Sequence, residues 1–195
     1  MLMETIQNKL IVLCAPSASG KTSIYKRLLQ ALPILSFSIS ATNREPRPNE
    51  KEGVDYYFLS TEDFLKKRDD GLFVEWEEVY PGKFYGTLKS EIERINNLGE
   101  VPILDVDVKG AQSIGDKYGD NALLIFIKAP SIEEIKIRLE ARGTETPESL
   151  KKRLDRVPEE LTYEQKCDKT VINSDLDKAV EECEKIVRKF LALAA

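Results

Sequence analysis

The sequence predicts an α/β fold: a parallel sheet with helices on both faces, carrying an inserted β-rich subdomain and a short helical lid. Three observations predict it. Short apolar runs of strand length alternate with longer helix-forming runs along most of the 195 residues. The first apolar run, Leu10 to Cys14, breaks into a small-residue loop, Ala15-Pro16-Ser17-Ala18-Ser19-Gly20, before Lys21-Thr22-Ser23 opens a helix. Two stretches, about 35–89 and about 142–158, interrupt the alternation, the first rich in strand signals and the second in charge.

Taken in order, residues 9–15 read as a buried strand and 21–32 as a helix of good helix formers. A strand follows near 34–40, then strands near 54–58, 73–79 and 83–86 within the first excursion. Ser60-Thr-Glu-Asp opens a short helix to about Arg68, and Thr87 opens another to about Leu98, which Gly99 stops. Val101-Pro-Ile-Leu-Asp-Val-Asp107 is a buried strand, 108–118 a helix, and Leu123 to Lys128 a second buried strand. Ser131 and Glu134 form a capping box for a helix to about Arg142. Gly143 and Pro147 punctuate the charged stretch to Arg156, a strand covers Thr170–Ile172, and a closing helix begins near Asp175. The expected organisation is one domain, with a core of about 1–34, 90–141 and 159–195.

Composition narrows the chemistry. A chain of this length buries roughly 70% of its unfolded surface, enough for a substantial core. Formal charge is −5 with both signs interspersed, so no basic footprint for nucleic acid is present and anionic ligands must be met by local clusters. The absence of histidine removes Ser-His-Asp hydrolysis and imidazole acid–base chemistry. No apolar run approaches the roughly 20 residues that cross a bilayer, so no membrane partner is expected. The three cysteines, Cys14, Cys167 and Cys183, lack C-x-x-C spacing and read as structural thiols of a cytoplasmic protein.

The loop from Ala15 to Thr22 follows the pattern G-x-x-x-x-G-K-[ST], with alanine in place of the first glycine. Backbone N–H groups converging on a helix N-terminus cradle phosphates, Lys21 reaches the β- and γ-phosphates, and the Thr22 hydroxyl holds Mg²⁺. A plain Ser- and Ala-rich turn is the alternative. Arg44 and Arg47, on one loop held extended by Pro46, suit bidentate grip of a phosphate, with Tyr56 nearby in sequence; they equally suit a solvated surface. Glu75 lies inside an apolar β-run, where alternation allows it to face either solvent or a polar ligand. Tyr85 and Thr87 return to the same region, readable also as core and helix cap. Asp105 and Asp107 alternate onto one face at the end of a core strand, where ligands of such sheets bind; Asp107 also reads as an N-cap. Arg138, Arg142 and Arg153 are cations on helical surface, solvated by default.

Together these residues resemble the guanylate kinase family over nearly the whole chain. The resemblance rests on Ala15-Pro-Ser-Ala-Ser-Gly-Lys-Thr, Ser40-Ala-Thr-Asn-Arg-Glu-Pro-Arg with Gly53-Val-Asp-Tyr-Tyr-Phe, Glu75-Trp with Tyr85-Gly-Thr, Leu104-Asp-Val-Asp-Val-Lys-Gly, and Arg142-Gly-Thr-Glu-Thr, in the family's order. It implies a P-loop NTPase-type sheet, an excursion binding GMP, and phosphoryl transfer from ATP with Mg²⁺. It further implies Arg44, Arg47, Tyr56 and Tyr85 on the GMP phosphate, and Glu75, Ser40 and Thr87 on guanine. Lys21 and Thr22 fall to ATP and Mg²⁺, Asp105 to the metal and GMP, and Asn173 to adenosine. Arg138, Arg142 and Arg153 fall to the transferring phosphates. Departures are Ala15, Asn43 in the stretch Thr42-Asn-Arg, and a Tyr80–Lys83 turn one residue longer than usual. Two other readings stand beside the kinase: a non-catalytic protein-interaction module of the same fold, and a kinase for another phosphorylated acceptor such as a sugar phosphate. Oligomeric state is left open, a homo-oligomer included.

Overall fold

The computed structural model describes residues 8–141, 143 and 146–193. Its main sheet is parallel throughout, in the order β2-β7-β1-β8-β9: β1 Leu10–Cys14, β2 Leu35–Phe37, β7 Val101–Asp105, β8 Ala122–Lys128 and β9 Lys169–Ile172. Alternation along β1 sends Ile11 and Leu13 to one core and Leu10, Val12 and Cys14 to the other. A strand buried on both faces must be apolar along its length, and β1 is fully buried. Helices α1 (Lys21–Ala31) and α7 (Leu176–Leu191) cover the first face; α3 (Lys89–Asn97) and α4 (Val108–Tyr118) cover the second.

The first excursion forms a separate four-stranded sheet, β4-β3-β6-β5, from β3 Ala41–Thr42, β4 Tyr57–Phe58, β5 Phe73–Tyr80 and β6 Lys83–Leu88. Its own small core stacks Phe64 of α2 (Thr61–Asp69) on Phe73 and Phe84. Glu91 of α3 ties this sheet to the main one. Its buried carboxylate accepts from Ile39 N–H at 3.0 Å, Tyr57 Oη at 3.0 Å and Arg94 Nη2 at 2.7 Å. Burial alone would raise that acid, yet these donors hold it below its ordinary value. Helix α5 (Ile132–Ala141) and helix α6 (Pro147–Leu161) pack on each other around Leu139 and Val157.

Several elements differ from expectation for local reasons. Thr87 does not cap a helix: β6 runs on to Leu88, because the Thr87 hydroxyl is taken by Glu75. The strand foreseen near 34–40 is shortened to β2, Leu35–Phe37; residues 38–40 leave it without regular structure, and β3 begins beyond them at Ala41, in the other sheet. The strand ending at 107 stops at Asp105, and Asp107 is the N-cap of α4, accepting from Gly110 N–H at 2.8 Å. Ser131 accepts from Glu134 N–H, but the Glu134 carboxylate turns to Arg138 at 2.8 Å, so the capping box is half made. Cys14 and Cys167, far apart in sequence, bring their thiols to 3.4 Å, and all three cysteines are free thiols. Among the described residues no helix is long and apolar enough to cross a membrane.

Candidate active site

A cleft of about 530 Å³ lies at the carboxyl ends of β1 and β7, between the phosphate loop, the four-stranded sheet and α6. Its floor is the loop from Ala15 to Thr22. Gly20 caps α1 with φ 92°, a left-handed angle natural to glycine, and an added Cβ there would meet Asn173 Nδ2 at 2.1 Å. The other left-handed residue in the loop is Ala18, φ 61°, whereas Ala15 has no positive φ. The missing first glycine therefore places no strain at Ala15, and the strain falls three residues on.

Lys21 Nζ donates to Asp105 Oδ1 at 2.6 Å and to the Val106 carbonyl. Burial would lower the lysine pKa, but the Asp105 carboxylate outweighs it and the group is held above its usual value, cationic throughout the working range. Thr22 is exposed in the first turn of α1, and Thr22 and Asp105 both line the cleft. No group of three or more His, Cys, Asp or Glu ligands occurs among the described residues. One hydroxyl and one carboxylate beside a phosphate cradle fit Mg²⁺, which keeps several waters and rides on substrate phosphates.

On the opposite wall, Glu75 is 7% exposed, and its Oε1 accepts from Thr87 Oγ1 at 2.7 Å. Its other oxygen reaches α4 so closely that a Cβ on Gly110 would stand 2.7 Å from it. Burial, with Asp107 and Glu77 adding repulsion against the Thr87 hydrogen bond, pushes the acid up to about 7. Alternation alone allowed a solvent-facing Glu75; the pairing Glu75 with Thr87 across β5 and β6 turns it inward instead. Ser40 lines the same wall.

Between floor and wall stand Arg44, Arg47, Tyr56 and Tyr85. Arg44 is gripped by Glu50 through two hydrogen bonds of 2.6 Å, and its guanidinium lies 4.9 Å from the Tyr56 ring centre. Its Nε is buried without a partner among the described residues. The pair of hydrogen bonds from Arg44 holds the Glu50 carboxyl below its ordinary range despite burial. Arg47, with a side chain 66% exposed, approaches Glu50 at 3.9 Å. Tyr56 and Tyr85 meet edge to face at 6.0 Å. Glu50, which grips Arg44, had only one signal in the sequence, its i, i+3 spacing from Arg47.

Of the arginines on α5 and α6, Arg153 joins the cleft, donating to Ser17 Oγ at 2.8 Å. Arg138 does not. It donates to Glu134, to the Ser19 carbonyl at 3.3 Å and to the Asn173 carbonyl at 2.9 Å, on the far side of the loop. There Arg138, Asn173, Ala18, Gly20 and Ser23 line a second hollow of about 310 Å³. The Asn173 amide donates to the Ser19 carbonyl at 2.8 Å, which fixes the back of the loop. Pro16 and Ser19 are buried within the loop, and Arg142 lies outside the described residues. Asp107, besides capping α4, also lines the main cleft, as do Glu77, Val79, Tyr80, Arg156 and Glu160, none of which the sequence singled out for the site.

The family model for guanylate kinase matches residues 7–190. The guanylate kinase of Salinibacter ruber is 51% identical over 183 residues, covering 94% of this chain and 97% of that one. That of Porphyromonas gingivalis is 49% identical over 185 residues, covering 94% and 98%. The crystal structure of guanylate kinase from Anaplasma phagocytophilum superposes with a TM-score of 0.75 at 29% identity, covering 93% of this chain and 85% of that one.

Proposed function

The chain belongs to the guanylate kinase family, and on that premise we infer that it is an ATP:GMP phosphotransferase, converting ATP and GMP to ADP and GDP. The observation that carries the reading for this chain's own residues is Glu75. A buried carboxylate beside a hydroxyl, in a cleft whose far end is a phosphate cradle, matches the Watson–Crick edge of guanine. That edge offers N1–H and the N2 amino group to one carboxylate, which Thr87 orients by its own hydrogen bond, and its O6 accepts from the Ser40 hydroxyl. Adenine has an acceptor at N1, which would leave the carboxylate mispaired, a penalty able to discriminate by about 10⁴ or more.

The GMP phosphate is then met by Arg44, Arg47, Tyr56 and Tyr85, with Glu50 holding Arg44 in orientation. An oxygen of that phosphate attacks the γ-phosphorus of ATP in line, the bond to the β-phosphate oxygen breaks, and ADP leaves. The nucleophile is already anionic, so no general base is needed, consistent with a chain that has no histidine. Lys21 and Arg153 absorb charge on the transferring group, and Asp105 keeps Lys21 oriented in the absence of nucleotide. Mg²⁺ bound with ATP, held by Thr22 and Asp105, would neutralise phosphate charge. Asn173 and Arg138 brace the loop and border the hollow suited to adenosine. The cytoplasm is the proposed compartment, with one domain divided as the sequence suggests.

An ADP-release assay with Mg²⁺·ATP and GMP, AMP or a sugar phosphate tests this. Turnover with GMP alone is expected, and Lys21→Ala should lower it by at least about 10²-fold, the scale of losing a preorganised charge donor. A folded protein silent with every acceptor would favour the interaction module, and preference for a sugar phosphate would favour the other kinase.

A further inference from the structure

Helix α6 touches both halves of the cleft with side chains one turn apart. Arg153 reaches the phosphate loop at Ser17, while Arg156 reaches the four-stranded sheet, donating from Nη1 to the Val79 carbonyl at 2.9 Å. Residues three apart share a helix face, so one rigid helix contacts the donor side and the acceptor side together. The guanidinium of Arg156 also lies over the Tyr80 ring at 5.2 Å, and Glu160 of the next turn backs it at 3.3 Å.

The receiving site is built by the hairpin itself. The β5–β6 ladder shifts register between Glu78 and Tyr80, leaving Val79 without a partner residue on β6. A bulge of this kind re-aims backbone groups out of the ladder. The Glu78 carboxylate fixes the turn by accepting from Gly82 N–H at 2.6 Å. This is the longer turn from Tyr80 to Lys83, for which the phosphoryl-transfer scheme above has no use.

We propose that Arg156 is a positioning residue that couples α6 to the acceptor sheet, so that a nucleoside triphosphate on the loop strengthens binding of the nucleoside monophosphate, and the reverse. The inference rests on the ATP:GMP reading. Phosphates drawn to Lys21 and Arg153 fix α6; α6, through Arg156, fixes the Val79–Tyr80 hairpin; and the same two strands carry Glu75, Tyr85 and Thr87. Linkage makes the effect equal in both directions.

Calorimetric titration of GMP, with and without Mg²⁺ and a non-hydrolysable ATP analogue, reads the coupling directly. The wild-type chain should bind GMP about fivefold or more tightly with the analogue present, the low end of usual coupling factors. Arg156→Ala should reduce that factor below about twofold while GMP alone binds within about twofold of wild type. Arg156→Lys, which keeps charge and a donor but loses the flat guanidinium, should recover part of it. Adding Tyr80→Ala to Arg156→Ala should cost nothing further in coupling. A wild type with no coupling, or an Arg156→Ala chain that keeps the wild-type factor, overturns the proposal. Failure of wild type to bind GMP at all would instead sink the acceptor reading beneath it.

Discussion

Glu75 concentrates the chemistry of the site in one ionisable group. It is buried in the free protein with its acid pushed up to about 7, whereas the proposed pairing with guanine's two donors requires the carboxylate. Binding of GMP below that value must therefore expel a proton. We expect kcat/KM for GMP to be level above about pH 7 and to fall close to tenfold per unit below it, toward pH 5.5. The stability of the free protein follows the opposite sense. A folded-state value above the ordinary 4.5 means stability is full below about 4.5 and declines as pH rises to about 7. Glu75→Gln should flatten that decline in thermal unfolding scans. A GMP profile without a break near 7 would contradict the assignment. Glu75 and the basic residues of the first excursion were legible as residue types, but Glu75's orientation was not. Alternation permits two faces, and the choice was made by Thr87 across the hairpin.

The phosphate loop shows at the scale of an element what its departures from pattern cost. Ala18 at φ 61° bears about 1–2 kcal/mol of left-handed strain. Replacing it with glycine relieves that strain but gives up a buried methyl, about 0.8 kcal/mol, and adds chain entropy to the unfolded state. The two nearly cancel, so Ala18→Gly should change stability by less than about 1 kcal/mol. Ala15→Gly has no strain to relieve and should cost about 1–2 kcal/mol. Urea unfolding of the two variants checks the order; a larger loss for Ala18→Gly would contradict it. The loop's strand and helix were plain in the sequence because apolar run, small residues and helix formers follow directly. The caps and edges were less so. Thr87 looks like an N-cap until its hydroxyl has a buried carboxylate to satisfy, whereas Asp107 is the N-cap its sequence allowed, and only the strand before it ends two residues earlier than expected.

Across the whole molecule, the parallel order β2-β7-β1-β8-β9 brings the ends of β1 and β7 side by side, and Lys21 and Asp105 with them. The inserted sheet faces them across the cleft, anchored through Glu91 and aimed by contacts far apart in sequence. Contacts such as Arg156 with Val79, and Asn173 with Ser19 behind the phosphate loop, were invisible to any local pattern because they join residues 77 and 154 positions apart. Arg138 shows the same limit from the other side. The family resemblance set it beside Arg153 on the transferring phosphates, but the two reach the phosphate loop at different places, Arg138 at the Ser19 carbonyl and Arg153 at Ser17 Oγ. In the proposed reaction the carboxylate of Glu75 selects the acceptor for a phosphate cradle on the opposite wall. Its most direct test is the ratio of kcat/KM for GMP over AMP, with saturating Mg²⁺·ATP, in wild type and Glu75→Gln. The wild-type ratio should be large, about 10⁴ or more, and should collapse by at least about 10²-fold in the variant through loss on GMP. A variant that keeps the wild-type ratio would contradict it.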